Sequence, residues 1–457
     1  MLANNRSDLI GRDISDTEFL FLKEIIIADN VENIYDGAFC YHNLSSIVIP
    51  NSVKHIGDYA FQSCDNLKSI VIPDSVESIG AHAFAHCKNL TTVYLNNGLK
   101  SIGDSAFLYC EKLSSINIPN SVNTIGKSAF FECQNLININ IPKGMSVIEQ
   151  QAFERCGLIS VLIPEGIVSI GNRAFECCKK LKSIKIPGSV HSISESAFNH
   201  CSGLEKIEIS RENEIYDSRE DCNAIIKTKE NTMIYYCKDT IIPDGVKKID
   251  YLACSKGVGM KSIRIPQSLN SITVNTFGNC CDIESIIVDE HHKKFDSRNN
   301  CNAIINKNTK TLVLGCNSTV IPLDVEVIGK SAFRFCDLKS SITLSRNIKK
   351  IEKFAFTNCK GLNSIVIPGC VEIIEEKAFN NCEDLKSVTF CDGITSIGRF
   401  VFMNCRNIEK IYFPNSIESI GDFMVPINRK VKIIVPKGSK EKFKSLLQYY
   451  KKCIVEE

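Results

Sequence analysis

The sequence predicts a β-rich repeat solenoid of about 18 coils, and three observations carry that prediction. First, one motif recurs end to end: "IGDYAFQSCDNLKSIVIP" (56–73) returns as "IGAHAFAHCKNLTTVYL", "IGDSAFLYCEKLSSINIP", "IGKSAFFECQNLININIP" and "IGNRAFECCKKLKSIKIP". Second, its last aliphatic position advances from Ile27 and Ile49 to Phe413 and Val435 in steps of 22 or 23 residues, with only two steps of 33, at Ile209→Ile242 and Val288→Ile321. Third, each of the 13 prolines directly follows Ile, Val or Phe, so the breaks obey the repeat as well. One compact core stops growing near ~250–300 residues, yet a repeat this continuous reads as one elongated array over residues 22–436.

Within a repeat, L-x-x-I-x-I-P is a short strand. Ile70 and Ile72 alternate inward while Ser69 and Val71 point out, and Pro73, lacking an N–H, ends the strand. Gly57 suits a turn, and the small–large pair Ala60–Phe61 fills the interior behind it. A single coil buries too few apolar groups to offset its ordering entropy, so neighbours must stack. The two long steps, "YDSREDCNAIIKTKENTMIYYCKDTIIP" (216–243) and "FDSRNNCNAIINKNTKTLVLGCNSTVIP" (295–322), sit 79 residues apart. Each has two apolar runs around a polar turn, Lys229–Asn231 and Lys307–Thr309, and reads as a β-hairpin in a variant repeat spanning about 210–243 or 289–322.

The ends differ from the repeat. Residues 1–21 are polar and expected to be poorly ordered. In residues 437–457, Phe443, Leu446, Leu447 and Tyr450 lie at i, i+3, i+4 and i+7, with Ser439 as the N-cap, which predicts an amphipathic capping helix.

The motif "SVxxIGxxAFxxCxxLxSIxIP" resembles the BspA-like (Treponema-type) leucine-rich repeat, and the long steps resemble that family's variant repeat. The resemblance covers about nine-tenths of the chain. It implies a leucine-rich-repeat array and a surface or secreted protein engaged in adhesion or host contact. The pattern departs at Cys254, which replaces the repeat's Phe, and at Leu95, Ser210, Ser345 and Cys391, where a Pro is missing.

Cysteine is the one compositional extreme, with 23 residues. Twelve, from Cys64 to Cys405, fall three residues after the repeat Phe. A catalytic thiol needs one special environment with a base beside it, whereas twelve equivalent positions make a packing slot. Stacked disulfides are disfavoured because parallel side chains in one rotamer lie alongside each other. The sequence thus predicts a buried, reduced ladder, with Cys237 and Cys316 as fillers at the repeat's Leu position.

Other chemical signals dissolve into the repeat. No C-x-x-C spacing for zinc is present, and "GKS" at 126–128 and 329–331 lacks the upstream Gly of a phosphate loop, having Ser121 and Asp324 there. The "DEHHKKFD" segment (289–296) reads as a solvated loop. The Asp-Ser-Arg triplets, Asp217–Arg219 and Asp296–Arg298, read as Asp-headed turns with ligand contact as the alternative. No cofactor or metal is expected. A net charge of +2 makes no case for nucleic acid, and no segment is apolar enough to span a membrane or to serve as a signal peptide.

That leaves the outward residues of the strands, expected on a concave face. One column is uniform and small (Ser46, Ser69, Thr92, Ser115). The other varies: Val48, Val71, Tyr94, Asn117, Asn140, Leu162, Lys185, Glu208, Arg264 and Tyr412 are among its members. The varied column is the candidate site of a monomeric, non-enzymatic scaffold that binds protein ligands. An intracellular or delivered effector is the alternative, and a thiol-dependent enzyme the remaining one.

Overall fold

The computed structural model describes residues 2–3, 24–250, 253, 260–272, 276–277, 282–340, 342–422 and 431–457. Cys254, at the repeat's Phe position, and the slot residue Cys280 lie outside them. The chain forms two compact units, one built up to Asp239 and one from Thr240 onward.

In the first unit, L-x-x-I-x-I strands stack in parallel and in register. Ser69–Ile72, Thr92–Leu95 and Ser115–Asn117 set Val71 beside Tyr94 and Tyr94 beside Asn117. Ser160–Leu162, Ser183–Ile186 and Lys206–Ile209 set Leu162 beside Lys185 and Lys185 beside Glu208. Inward and outward residues alternate as expected, Ile70 and Ile72 being buried while Ser69 and Val71 are exposed. Leu2–Ala3 pairs with Ile26 and Ile27, adding a strand where the sequence suggested none.

Most coils also hold a second, two-residue strand that the sequence reading missed. Asn33–Ile34, His55–Ile56, Ser78–Ile79, Ser101–Ile102 and Thr124–Ile125 form a five-stranded parallel sheet. The following glycine is a packing requirement. A Cβ on Gly80 or Gly103 would lie 2.6 Å from backbone of the preceding coil.

The "AFxxC" segment is a turn with alternating left-handed residues. Tyr59 (φ 58°) and Ser63 (φ 58°) recur as His82 (φ 55°) and His86 (φ 62°), then Ser105 (φ 56°) and Tyr109 (φ 57°). Such φ values strain L residues. The turn holds because every second amide donates to the next coil: Tyr59 to Ala81 O (2.8 Å), Phe61 to Ala83 O (2.7 Å) and Ser63 to Ala85 O (2.8 Å). Ser128 and Ser331 of the two "GKS" triplets occupy the same left-handed position, so neither triplet begins a phosphate loop. Inside the turn the Phe rings stack from Phe39 to Phe198, at centroid distances of 5.1 Å at Phe61–Phe84 and 5.7 Å at Phe130–Phe153.

The second unit repeats the plan. Ser364–Ile367, Ser387–Phe390, Lys410–Tyr412 and Lys432–Val435 stack in parallel, and Ile454–Glu456 closes the ladder at its end. The helix Lys440–Leu446 covers the last coil, with Phe443 stacked on Phe413 at 5.5 Å and Leu447 and Tyr450 buried. Ser439 stands at the N-cap, but its hydroxyl bonds Pro436 O instead of a helix amide. The carboxylate of Glu456 accepts the amides of Gly438 (3.0 Å) and Lys440 (2.9 Å) in its place.

Both long repeats are hairpins. Ala224–Lys227 pairs with Thr232–Tyr236, and Ala303–Asn306 with Thr311–Gly315, each with one bulge. The "DEHHKKFD" loop is solvated at Glu290, His291, Lys293 and Lys294, as its composition suggested, but not at His292 and Phe295. His292 is 3 % exposed, bonds Leu269 O through Nε2 (2.9 Å), and accepts the amides of Lys294 and Phe295 at Nδ1 (3.1 Å each). Asn213, 79 residues earlier, does the same work. Its Nδ2 donates to Pro187 O and Val190 O (2.9 Å each), and its Oδ1 accepts the amides of Ile215 and Tyr216.

Candidate binding surfaces

The slot cysteines are more than fillers. Among the described slot cysteines every Sγ but one reaches the carbonyl of the Phe in the preceding coil, as in Cys64 to Phe39 O, Cys87 to Phe61 O and Cys110 to Phe84 O, all at 3.1 Å; Cys336, which follows a hairpin, reaches Gly315 O (3.7 Å). The ladder resumes in the second unit, with Cys382 to Phe356 O and Cys405 to Phe379 O at 3.0 Å. A thiol here fills a small space and supplies a donor to a buried carbonyl. All the described cysteines are free thiols. Burial pushes the thiols of Cys64, Cys110 and Cys178 up to about 12, the reverse of what a nucleophile requires. Cys237 likewise donates to Asn223 O (3.3 Å), and Cys316 to Asn302 O (3.3 Å).

The outward column divides by environment. Val48, Val71 and Tyr94 are 77 %, 54 % and 57 % exposed, an apolar and aromatic group on the first unit's strand face. Asn117 is exposed beside Tyr94. Asn140 is committed elsewhere: its coil lacks the regular strand, and its amide bonds both the N–H and the C=O of Ile118 to replace the missing ladder bonds. Lys185 and Glu208 lie side by side, with Glu208 also paired to Lys206, which holds its carboxyl below the usual range. In the second unit Arg264 is exposed, 4.0 Å from Asp289, and Tyr412 is half-buried.

The structure brings Lys185 and Glu208 together with the first hairpin repeat. They line a cavity of about 690 Å³ whose other wall includes Ser218, Asp221 and Asn223. Within that repeat Arg219 forks onto Asp217 (2.8 and 2.6 Å) and reaches Asn231 (2.9 Å), while Ser218 bonds Ile207 O. Arg298 forks onto Asp296 (2.9 and 2.7 Å) and also meets Asp324, and Ser297 bonds Ile286 O. Both guanidinium forks are thus spent inside the chain, and the serines tie the turns to the strand before them.

One charged cluster went unread in the sequence. Glu132, Glu154 and Glu176, each 8 % exposed or less, face Arg155 and Arg173 on successive coils. Arg155 bonds Glu132 (2.9 Å), Arg173 pairs with Glu176 and lies 3.4 Å from Glu154, and Gln151 donates to Glu154 (2.8 Å). Burial raises the Glu154 carboxyl above its usual range. The signal available was an acid recurring every 22 residues in the turn.

Among the described residues no group of three or more His, Cys, Asp or Glu could hold a metal, and no helix is long and apolar enough to cross a membrane.

Solved structures with similar folds include a leucine-rich repeat protein from Bacteroides ovatus (22% identity, 90% of this chain and 78% of that one, TM-score 0.39). A leucine rich cell surface protein from Faecalibacterium prausnitzii is also similar (22%, 93% and 90%, TM-score 0.44), as is the pneumococcal vaccine antigen PcpA (18%, 96% and 90%, TM-score 0.37). No curated protein matches the sequence. The model of the BspA type leucine rich repeat region matches residues 17–137, 100–223, 231–313 and 304–425. Coil length, strand register and this match agree, and the chain belongs to the BspA type leucine-rich-repeat family.

Proposed function

We propose that the protein is a non-enzymatic scaffold, displayed at a cell surface or secreted, that binds protein ligands on the outward face of its strand ladders. The observation that carries this reading is the apolar group Val48, Val71 and Tyr94. A solvent-facing strand position costs nothing to make polar, yet three of these are large, apolar and more than half exposed. Family membership supports the surface setting. Four coils beyond Tyr94 in the same column, the Lys185–Glu208 cavity adds a charged end to the first unit's strand face, suited to orienting a ligand.

The test is capture of surface proteins by the immobilised full chain, with bound species identified by mass spectrometry. The reading expects Tyr94→Ala and Val71→Lys to lose the captured species while the melting profile stays unchanged. Unchanged capture by both variants would move the site off this face.

A further inference from the structure

In the first unit the slot cysteine is joined to the strand by a C-x-x-L link, whose two middle residues line up from coil to coil. Side chains there find partners at the same position one coil back. At the first position Lys88 pairs with Asp65 (3.4 Å), and at the second Lys112 bonds Asn89 (2.7 Å). Asn89 in turn bonds Asp65 O (2.6 Å).

The link loses a residue twice in this unit. At His42–Leu44 the single middle residue is Asn43, whose amide still meets Asn66 of the next coil. Between Cys156 and Leu158 the single residue is Gly157, which offers no side chain at all. Glycine is required there, because a Cβ would lie 2.1 Å from Gln134 O of the coil before. The next coil carries Lys179 and Lys180, and the partners their positions call for are missing. Both lysines are exposed, and among the described residues neither makes an ion pair.

The shortened link leaves a cavity of about 390 Å³, with Gln134 and Asn135 from the coil before, Lys179 and Lys180 from the coil after, and Arg155 beside Gly157. Glu132 also lines it, but Arg155 (2.9 Å) and Gln134 (2.8 Å) already take its two oxygens. Set against the buried carboxylates Glu132, Glu154 and Glu176, the cations Arg155, Arg173, Lys179 and Lys180 leave one net positive charge, which suits a single carboxylate.

The surface next to this notch is apolar. Two residues past Asn135 and two past Gly157 stand Ile137 and Ile159, 40 % and 44 % exposed, side by side through the bond from the Ile159 amide to Ile137 O (3.0 Å). The same position holds Ser45, Lys68, Thr91 and Ser114 in the coils before and Lys182 and Glu205 in those after. The aliphatic pair therefore coincides with the notch.

We propose that the notch at Gly157 binds an acidic and aliphatic segment of a partner protein, whose carboxylate meets Lys179 and Lys180 while the adjoining aliphatic side chain lies on Ile137 and Ile159. A basic segment would face two unpaired lysines, and a free anion would leave both isoleucines bare. The notch lies on the links, apart from the strand column of Val48, Val71 and Tyr94, so either site can fail without the other.

The probe is a fluorescein-labelled octapeptide of alternating Glu and Leu, titrated into the full chain at pH 7 and followed by fluorescence polarisation. Saturable binding is expected. Lys179→Gln and Lys180→Gln should each weaken it about 2–5-fold, and the pair together about 10-fold. Ile159→Ser should weaken it about 2–5-fold through lost apolar contact. Replacing Gly157 with the dipeptide Gln-Asn restores the regular link and gives both lysines neighbours, and should abolish binding. Lys112→Gln and Tyr94→Ala should leave the affinity unchanged, and the peptide with Gln in place of Glu should not bind. Circular dichroism melts check that each variant folds. No saturable binding, equal affinity of the wild type and the double lysine variant, or equal binding of the Gln peptide overturns the proposal. An affinity untouched by Ile159→Ser also overturns it, since the notch would then hold a bare anion. So does self-association in sedimentation that the double lysine variant abolishes, since a second copy would then be the occupant.

Discussion

The interior Phe–Cys columns and the outward strand column are both built from one residue per coil, yet one repeats and the other varies. From Phe39 to Phe198 the rings stack without a break, and the slot thiols bond the Phe carbonyls one coil back. On the outward face Val71, Tyr94 and Asn117 succeed one another with no shared chemistry. The difference teaches that a position is fixed when it must satisfy the backbone of its neighbour, and free when it meets water. The two hairpin repeats add a refinement: Asn213, with four bonds, and His292, with three, tie the same turn to the coil before it through different side chains, so geometry is held where identity is not.

Alkaline titration should separate the two columns most strongly. Folding raises the thiols of Cys64, Cys110 and Cys178 from 9.0 to about 12, so the folded state holds protons that the unfolded state releases. Their contribution is intact below pH 9 and is lost as pH rises from 9 toward 12. Across that window each costs about 4 kcal/mol, and the three together reach the total stability of an ordinary domain. Circular dichroism against pH should therefore show cooperative unfolding above pH 9. A Glu208→Gln variant, altered only on the outward face, should follow the same curve.

Single substitutions sharpen the contrast. Phe130→Ala opens a cavity in the ring stack and should cost about 3–5 kcal/mol in urea unfolding, whereas Val71→Ala should stay within about 0.5 kcal/mol. Asn213→Ala removes the donor to Pro187 O and Val190 O and the acceptor of the Ile215 and Tyr216 amides, and should cost about 2–4 kcal/mol. Asn213→Gln, which displaces the amide by one methylene, should recover little of it. Cys110→Val removes the donor to Phe84 O and adds about a methyl group of bulk to the slot, for a loss of about 1 kcal/mol or more by the same measurement. A cost no larger than that of Val71→Ala would reduce the slot thiols to fillers.

Much of this fold was legible because a 22–23-residue period states strand, turn and core together. Pro73 marks where the strand stops, Ile70 and Ile72 mark its inner face, and the 79-residue offset marks the paired hairpins. What stayed hidden has physical causes. Two residues such as Ser78–Ile79 are too few to show a period, so the second sheet left no pattern. Left-handed Tyr59 and His82 carry no glycine flag, because bonds to the next coil impose their conformation. The thiol's donor role depends on a carbonyl 25 or 26 residues away. In the candidate site, exposure of Val71 and Tyr94 followed from alternation alone. Asn140 looked the same in the sequence, and only the irregular coil beside it reveals that its amide is spent on Ile118.

The central claim is that the repeated thiols are structural and the varied faces bind. Its most direct test is thiol labelling of the folded protein with a charged reagent, followed by denaturation, a second label and peptide mapping. The account predicts that the slot cysteines, Cys64 through Cys201 and Cys336 through Cys405, take only the second label, that half-buried Cys40 and Cys177 take the first, and that all 23 react once unfolded. Rapid native labelling at a slot cysteine such as Cys110, with the fold intact, would contradict it.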